Sequence, residues 1–339
     1  MAQLTLPEFI AEWHSDQTYV SAHTSGSTGA PKPLRLPKDL MRRSAERTNR
    51  FFGIGPWSRL HLCLSPDYIA GKMMIVRAIV ARCHLTSEPP SNNPLDPQFT
   101  GGPTARASLQ RRISLLAVVP SQLYSLLDHP ERLRLVDNIL VGGSSIPPEL
   151  RRRLAAIPIT CWESYGMTET ASHVALRPVT ADPSLPFTLL SGITCSLSDR
   201  GTLQLKAISR LSALCPQLTT NDCAEVLSST TFRLLGRLDH AIISGGIKIH
   251  PQQLEAEVAD LLAPFQPCYI TSRPDPKWGE RVVLALSAIS DASQLSTPGS
   301  QLLNALRERL GPIRAPGEIV IFPTFAYTST GKLIRQKLK

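Results

Sequence analysis

The stretch LLAVVPSQLYSLLDHPERLRLVDNILVGGSS, residues 115–145, indicates how this chain folds. Two apolar runs, LLAVVP and NILVGGSS, have the length and composition of buried strands, and a helical pattern from Gln122 to about Leu133 separates them. Strand, helix and strand in this order predict a parallel sheet of the α/β class. Small residues from Gly142 to Ser145 end the second strand at the carboxyl edge, where open α/β sheets bind ligands, although a plain turn between strand and helix explains them equally well.

The same alternation continues on both sides of this stretch. Before it, apolar patterns predict helices over residues 4–20, 38–52 and 71–83. A strand is expected over 60–65 and an irregular loop over 87–106. After it, short strands with frequent turns are expected over about 185–235, followed by a small α+β region. We therefore expect two domains, residues 1–237 and residues 238–339.

The composition is that of a soluble globular protein. The chain has 339 residues and a mass of 37.1 kDa, with 42% hydrophobic residues, 19% charged residues and a mean hydropathy of -0.03. It has no apolar run of about 18 residues that could span a membrane. Its start, MAQLTLPEFIAEWHS, lacks the pattern of a signal peptide. We therefore expect a cytoplasmic protein.

Charge and cysteine content disfavour two further classes. The formal net charge is +9, but the basic residues are scattered singly or in short clusters on helical patterns. This distribution favours small anionic ligands over nucleic acid. The seven cysteines form no C-x-x-C pair and none has zinc-ligand spacing beside a histidine pair, so we expect buried, reduced thiols.

A loop of small residues, TSGSTGAPK, precedes the first basic helix. Its glycines allow sharp turns that expose N–H groups, its hydroxyls add donors for phosphate oxygens, and Lys32 adds a positive charge. It lacks the Gly-Lys-Ser/Thr ending of a Walker A loop, and a flexible linker is the alternative. The residues expected to hold phosphate are Thr24, Ser25, Gly26, Ser27, Thr28, Gly29 and Lys32.

A second motif, ESYGMTET, occupies residues 163–170. Tyr165 could stack on a base, Thr168 could hold a phosphate, and the hard carboxylate of Glu169 could hold Mg²⁺. The alternative is a helix N-terminus capped by Thr168, an arrangement that is compatible with phosphate binding.

Two further motifs lie in the C-terminal part. GRLDHAIISGGIKIHP, residues 236–251, joins an Arg-Leu-Asp sequence to a Gly-Gly turn before a helix, and a plain hairpin also explains it. TSTGKLIR, residues 328–335, is by itself explained as a mobile basic tail.

Together and in this order, these segments resemble the motifs of the adenylate-forming superfamily of acyl-CoA synthetases, peptide-synthetase adenylation domains and luciferases. TSGSTGAPK is similar to its phosphate loop, SYGMTET to its adenine and magnesium motif, and GRLDHAIISGGIKIHPQQLE to its domain hinge. PDPKWGERVVLAL, residues 274–286, is similar to a segment of its small C-terminal domain, and TSTGKLIR to its catalytic-lysine motif. Five matches from Thr24 to Arg335 identify the chain as a member of this superfamily.

The resemblance implies a large α/β AMP-binding domain and a small, mobile α+β C-terminal domain. It implies that a carboxylate attacks the α-phosphate of ATP in the presence of Mg²⁺, and that the thiol of coenzyme A then displaces AMP. The nucleotide would lie against Gly142, Gly143, Ser144, Ser145, Glu163, Ser164, Tyr165, Gly166, Asp222 and Arg237. The catalytic residues would be Lys332, Thr168 and the Mg²⁺ ligand Glu169. The hinge and the loop for the thiol step would use Asp239, Gly245, Gly246 and Lys248.

Three features depart from the superfamily pattern. Only 23 residues precede the phosphate loop, so we expect the usual first N-terminal subdomain to be missing or replaced by homodimer contacts. Tyr68, in PDYIAGK, stands where a gating histidine often stands. Asn221 replaces a usual glycine before Asp222, and asparagine tolerates left-handed backbone angles better than most residues.

The predicted substrate is a small dicarboxylate. YGMTETASH, SGGIKIHP and PDYIAGKMMIVRA are most similar to the o-succinylbenzoate–CoA ligases of menaquinone synthesis, in a shortened form. The carboxylate of that substrate that is not activated needs a cationic partner. Lys72 and Arg77, on a predicted apolar helix, are the candidates, and Tyr68 and Gly71 lie near them in the chain. Alternatively, Arg77 extends to solvent or pairs with an acidic residue.

Other functions stay open at this point. A ligase for another carboxylate, or one that transfers to a carrier-protein thiol, would share every motif. A non-catalytic nucleotide-binding descendant is favoured by the absent subdomain and disfavoured by the intact Lys332 and Glu169. A nucleic-acid binder, suggested only by charge, predicts a steeply salt-dependent affinity for DNA.

Overall fold

The computed structural model describes residues 4–23, 33–97, 112–207, 217–288, 298–328 and 333–338. The chain divides into two compact units. The first contains most residues up to Phe232, and the second contains most of the chain from Arg233 onward. The segments 197–203 and 219–226 also belong to the second unit. The roles assigned to the two predicted domains stay predictions.

The first unit combines five helices with the greater part of the strands in the described ranges. The helices are α1 (Leu6–His14), α2 (Lys38–Phe52), α3 (Ile69–Ala81), α4 (Pro120–Asp128) and α5 (Pro148–Ala155). The strands are β1 (Tyr19–His23), β2 (Pro33–Pro37), β3 (Arg59–Leu62), β4 (His84–Ser87), β5 (Leu115–Val118), β6 (Asn138–Val141), β7 (Thr160–Met167), β8 (Ser172–Pro178) and β9 (Phe187–Leu189). Strands β10 (Ile193–Leu197), β11 (Thr202–Ala207), β12 (Gln217–Ser228) and β13 (Thr231–Arg237) follow in the chain, and parts of all four belong to the second unit.

Local sequence signals explain where these helices begin and end. Thr5 and Glu8 form a capping box at the start of α1. Helix α2 ends at Gly53, whose φ of 63° is a left-handed conformation that glycine adopts without strain. The helix predicted from Gln122 to Leu133 is interrupted: α4 stops before Pro130, and a 3-10 helix spans Pro130–Leu135. Proline lacks the N–H that would continue the α-helical hydrogen bonds.

The main sheet confirms the predicted α/β class. Its central strands run in the order β4-β3-β5-β6-β7, and each neighbouring pair is parallel. Strands β8 and β9 then add to β7 in antiparallel fashion. Because the parallel strands share one direction, the residues that follow β5 and β6 lie at the same carboxyl edge. Strand β4, at the edge of the sheet, was not predicted.

Strands β1 and β2 form a separate antiparallel pair in which His23 lies opposite Pro33. The nine residues between these two, 24–32, are the predicted phosphate loop and lie outside the described residues. The pairing therefore holds both ends of that loop next to each other.

The second unit is a smaller α+β arrangement, as predicted. Its helices are α6 (Pro251–Glu257), α7 (Ala259–Leu262) and α8 (Pro298–Leu310). Its strands are β14 (Ile242–Ser244), β15 (Ile247–Ile249), β16 (Cys268–Asp275), β17 (Gly279–Ser287) and β18 (Glu318–Phe322). The sheet order is β15-β14-β17-β16, and β18 pairs with β17 in parallel.

Two sequence expectations concern the whole chain. None of the helices in the described ranges combines the length and hydropathy that a membrane-crossing helix needs. Six cysteines are free thiols, five of them buried, as expected; Cys215 lies outside the described residues.

Candidate active site

The turn between β7 and β8 is held in an unusual backbone conformation. A Cβ at Gly166 would lie 2.3 Å from the carbonyl oxygen of Ser172, so the two strands can approach this closely only at a glycine. Ala171 and Ser172 both have positive φ, 56° and 142°. The Thr170 hydroxyl accepts from the Met167 N–H and donates to the Ser172 carbonyl. Strain of this kind in non-glycine residues is often found at functional sites.

This turn carries the predicted catalytic pair. Thr168 is buried in a 3-10 helix, and its hydroxyl donates to the carbonyl of His23 at 3.4 Å. Since His23 is the last described residue before segment 24–32, the structure brings Thr168 to the start of the predicted phosphate loop. The Glu169 side chain is half-buried.

The surroundings of Glu169 fit a magnesium ion that is bound together with ATP. The carboxylate makes no ion pair with any residue in the described ranges. No group of three His, Cys, Asp or Glu side chains in those ranges could hold a metal by itself. Magnesium commonly uses one or two protein carboxylates together with substrate phosphates, and a single available carboxylate suits that mode.

The residues after β6 form a mostly exposed segment at the carboxyl edge of the sheet. A Cβ at Gly142 would lie 2.7 Å from the Ser164 hydroxyl oxygen, which donates to the last carbonyl of β6 at 2.9 Å. Gly143 has a φ of 91°, and it is exposed together with Ser144 and Ser145. The role of these residues in binding adenine stays a prediction.

Two other residues of the predicted adenine motif are occupied by protein contacts. Glu163 is buried between Arg151 of α5 and Arg177 of β8, and the Arg177 Nε donates to its carboxylate at 2.9 Å. Tyr165 is buried, with its ring centroid 5.3 Å from that of Phe232. These contacts account for both side chains without a nucleotide, and their roles in binding adenine stay predictions.

Arg77 of α3 lies in a different environment. It is 1% exposed, and its Nη2 donates to the Ser172 hydroxyl at 2.7 Å and lies 3.4 Å from Nδ1 of His173. No carboxylate in the described ranges pairs with it, and the remaining residues of the first unit include no Asp or Glu. Burial lowers the pKa of Arg77 to about 9, so the group is still a cation at neutral pH. It does not extend to solvent, and among the residues that the structure describes it pairs with no acidic side chain.

The other residues proposed for the acyl substrate do not converge with Arg77. Lys72 is also buried, but its Nζ lies 4.8 Å from the ring of Phe9 in α1. Five residues along a helix correspond to a rotation of about 140°, so the two cations leave α3 in different directions. A Cβ at Gly71 would lie 2.2 Å from a carbonyl oxygen of the preceding loop, which gives this glycine a packing reason, and Tyr68 is half exposed.

In the second unit, the predicted ribose and hinge residues form one ionic network. Arg237 bonds Asp222 at 3.4 Å and Asp239 at 3.0 Å, while the Asn221 amide donates to Asp239. Burial opposes the charge of Arg237, but the hydrogen bond to Asp239 and the charge of Asp222 raise the pKa of Arg237 above its usual value. The arginine therefore stays charged, and the three polar side chains around it are held together.

The loop predicted for the thiol step is a tight hairpin between β14 and β15. Gly245 and Gly246 form its two central residues, with φ of 57° and 80°, as a hairpin turn of this length requires. The Gly245 N–H donates to the carbonyl of Trp278 at 2.8 Å. Lys248 is exposed beside the turn.

The C-terminal segment is tied to the same unit. Arg335 makes two hydrogen bonds to Glu255, each of 2.6 Å, and Lys337 bonds Glu280 at 2.8 Å. The segment is therefore not a free basic tail at these positions. Lys332 lies outside the described residues.

The contacts of Arg77 and Glu163 come from residues to which the sequence analysis assigned no role. Thr48, which contacts His173, was detectable as a polar residue on the buried face of α2, and His173 as a polar residue in the apolar run HVAL. The pairing of Glu163 with Arg151 and Arg177 had no local signal, since it depends on how α5 and β8 pack beside β7.

Comparison with known proteins identifies a family and several similar chains. The family model described as AMP-binding enzyme matches residues 3–208. The 2-succinylbenzoate–CoA ligase of Lactococcus lactis is 24% identical over 97% of this chain and 72% of its own length. A feruloyl-CoA synthase of an Amycolatopsis species is 25% identical over 96% of this chain and 70% of its own length.

A solved structure of similar length also matches. The AMP-forming acyl-CoA synthetase/AMP-acid ligase II-like protein of Dyadobacter fermentans superposes with a TM-score of 0.61 and 29% identity. The match covers 98% of this chain and 94% of that one. The two chains therefore match over nearly their whole given lengths.

Proposed function

The chain belongs to the AMP-binding enzyme family, and we propose that it is an AMP-forming ligase that converts o-succinylbenzoate, ATP and coenzyme A into o-succinylbenzoyl-CoA, AMP and pyrophosphate. Similarity to CoA ligases supports the reaction class. The observation that carries the substrate is the buried Arg77 guanidinium, which has no carboxylate partner in the described ranges.

The first step forms an acyl-adenylate. A carboxylate oxygen of the substrate attacks the α-phosphorus of ATP, the bond to the β-phosphate oxygen breaks, and pyrophosphate leaves. Lys332 would bridge the carboxylate and the α-phosphate, Thr168 would contact the phosphate, and Glu169 would hold the Mg²⁺ that neutralises charge on the leaving pyrophosphate. Segment 24–32 holds the β- and γ-phosphates.

The second step transfers the acyl group. The thiolate of coenzyme A attacks the acyl carbonyl, the bond to the AMP oxygen breaks, and AMP leaves with the electron pair. The exposed hairpin with Gly245, Gly246 and Lys248 serves this step, and Asp239 acts as the hinge residue.

The position of Arg77 supports a substrate with a second carboxylate. An uncompensated buried cation is costly, and an arriving carboxylate would restore the balance of charge with paired hydrogen bonds. Ser172, the direct partner of Arg77, follows Glu169 by only three residues through the strained turn. The proposal therefore puts one carboxylate of the substrate at the Mg²⁺–ATP site and the other at Arg77.

The direct test is mass spectrometry of the products formed from ATP, Mg²⁺, coenzyme A and o-succinylbenzoate. Formation of the CoA thioester together with AMP would support the proposal. Adenylate or AMP without thioester would indicate another thiol acceptor, such as a carrier protein. No turnover with a panel of carboxylates would favour a non-catalytic nucleotide-binding protein.

The role of Lys332 has a separate test in the two half-reactions. We expect Lys332→Ala to slow adenylate formation by about 100-fold to 1000-fold, because it removes a cation that stabilises the transition state. Thioester formation from preformed adenylate should be affected less. Equal losses in both half-reactions would contradict the assigned role.

A second candidate is a ligase for an aromatic monocarboxylate, which the similarity to feruloyl-CoA synthase favours. Such a substrate would leave Arg77 without a counter-ion. Comparing o-succinylbenzoate with ferulate in the same assay separates the two candidates.

A further inference from the structure

His173 is a buried histidine of β8 placed beside Arg77, and no predicted motif assigns it a role. Its side chain is 5% exposed and touches Ser172, Thr48 of α2 and Arg77 of α3. We propose that His173 is a positioning residue that holds the Arg77 guanidinium for a second substrate carboxylate. This inference rests on the proposed function.

The hydrogen bonds around His173 determine its tautomer. The Thr48 hydroxyl lies 3.1 Å from the carbonyl of Ser44, to which it donates its only proton. Toward Nε2 of His173, at 3.1 Å, the same hydroxyl can therefore only accept. Nε2 must carry the ring proton, and Nδ1 is left as an acceptor that faces Nη2 of Arg77.

This tautomer is the one that can hold an arginine. A lone pair on Nδ1 accepts from the Arg77 guanidinium, whereas a proton there would point one donor at another. The chain from the Ser44 carbonyl through Thr48 and His173 thus connects the backbone of α2 to Arg77. Ser172 completes the anchor at Nη2 with its 2.7 Å contact.

The charges around the ring favour its neutral form. Burial is the main cause that holds the pKa of His173 well below its ordinary value, and the guanidinium groups of Arg77 and Arg47 add to it. Arg77 belongs to α3 and Arg47 to α2, and no carboxylate in the described ranges contacts the ring of His173. A protonated His173 would be a third cation in this cluster.

Anchoring Nη2 leaves hydrogen-bonding capacity on the rest of the Arg77 guanidinium. Among the described residues, its buried Nε has no hydrogen-bond partner and its Nη1 is paired with the sulfur of Met74 at 3.5 Å. A guanidinium that is fixed on one side and unsatisfied elsewhere can bind a carboxylate without first losing conformational entropy. His173 would in this way set the selectivity for dicarboxylates.

The tautomer can be measured without any substrate. In the full-length protein with ¹⁵N-labelled histidine, NMR should show Nε2 protonated and Nδ1 unprotonated for His173 between pH 8 and 5.5. The signals are assigned by their loss in His173→Gln. A proton on Nδ1, or titration near the ordinary histidine pKa, would overturn the proposal.

The positioning role is measured by kinetics with two substrates. His173→Leu, which has no hydrogen-bonding group, should raise KM for o-succinylbenzoate about 10-fold to 100-fold. It should leave KM unchanged for 3-benzoylpropionate, the matched analogue without the ring carboxylate. His173→Gln supplies both a donor and an acceptor and should stay close to wild type, which also guards against a Leu variant that fails to fold.

A matched control is His61→Gln, at a second buried histidine of the same unit that contacts Thr86 and Glu88. It should not change the ratio of the two KM values. If His173→Leu left the ratio of the two KM values unchanged, the positioning role would be overturned. The proposed function would still stand if the enzyme turned over o-succinylbenzoate. If wild type did not use o-succinylbenzoate, the proposed function would fail, and the NMR result alone would decide the state of His173.

Discussion

Two buried arginine environments in the first unit differ in one respect, the presence of a counter-charge. Arg151 and Arg177 surround the carboxylate of Glu163, and all three side chains are largely shielded from water. Arg77 is at least as buried, but its partners are the neutral side chains of Ser172 and His173.

The difference separates a structural charge from one that is available to a ligand. A buried carboxylate between two guanidinium groups is compensated within the protein, and removing one partner leaves charges with no compensation. A buried cation that faces only neutral groups lowers the stability of the folded state unless an anion arrives. The first arrangement fixes α5 and β8 against β7, and the second favours binding of a carboxylate.

The largest expected effect is on stability at the compensated cluster. We expect Glu163→Gln to lower the free energy of unfolding by about 3–5 kcal/mol, because it leaves two buried guanidinium groups without a counter-charge. Chemical denaturation monitored by circular dichroism measures this. If the free energy of unfolding fell no more than in a surface substitution, Glu163 would not be the counter-charge that stabilises Arg151 and Arg177.

The next effect is on function at the uncompensated cation. Arg77→Met should reduce the preference for o-succinylbenzoate over 3-benzoylpropionate, measured as the ratio of kcat/KM, by about 100-fold, as loss of a bidentate charged contact would. It should not lower the free energy of unfolding, because methionine fills similar space without a buried charge. A destabilised variant with unchanged preference would assign Arg77 a structural role instead.

A smaller effect is expected in the pH dependence of stability. The pKa of His173 is lower in the folded state than in the unfolded state. As the pH drops below 6.5, the unfolded chain therefore binds a proton at His173 that the folded chain does not bind, and the free energy of unfolding falls. Relative to His173→Gln, wild type should lose about 1 kcal/mol between pH 6.5 and 5.5. Equal slopes for the two proteins would show that His173 is protonated equally in both states. His240 and His250 contribute alike to both proteins and cancel in the difference.

The smallest effect is expected at an exposed pair on the same helix as Arg151. Arg152 and Glu149 bond at 2.6 Å, but their side chains are 56% and 60% exposed. Glu149→Gln should change the free energy of unfolding by less than about 0.5 kcal/mol, because water screens exposed ion pairs. This variant is the matched control for Glu163→Gln, and a comparable loss in both would remove the distinction between buried and exposed pairs.

The fold was largely predictable because its signals are local. Apolar runs of four to six residues gave the central strands, and Gly53 marked the end of α2, whereas the interruption of the helix before Pro130 was not predicted. Strand β4 was missed because four half-exposed residues next to a predicted loop carry no strong alternation. The small α+β arrangement of the second unit was predicted from the same kind of local strand and helix patterns.

The candidate site was predictable only where its residues are neighbours in the chain. Gly166 to Glu169 form one turn, so their spacing in the sequence is also their spacing in the structure. Lys72 and Arg77 were grouped for the same reason, but a helix directs them to different neighbours.

What the sequence by itself determined is the superfamily, the α/β class and the order of the motifs, since these depend on turn chemistry and on periodicity over short windows. Only the tertiary structure decided that Glu163 is neutralised and that Arg77 has no counter-charge among the described residues. Arg77 meets His173 across 96 positions of sequence. Whether a buried charge has a partner depends on packing between distant segments. Because charges interact more strongly in a protein interior of low polarity, the presence or absence of that partner determines both the stability of the fold and the binding of an anion.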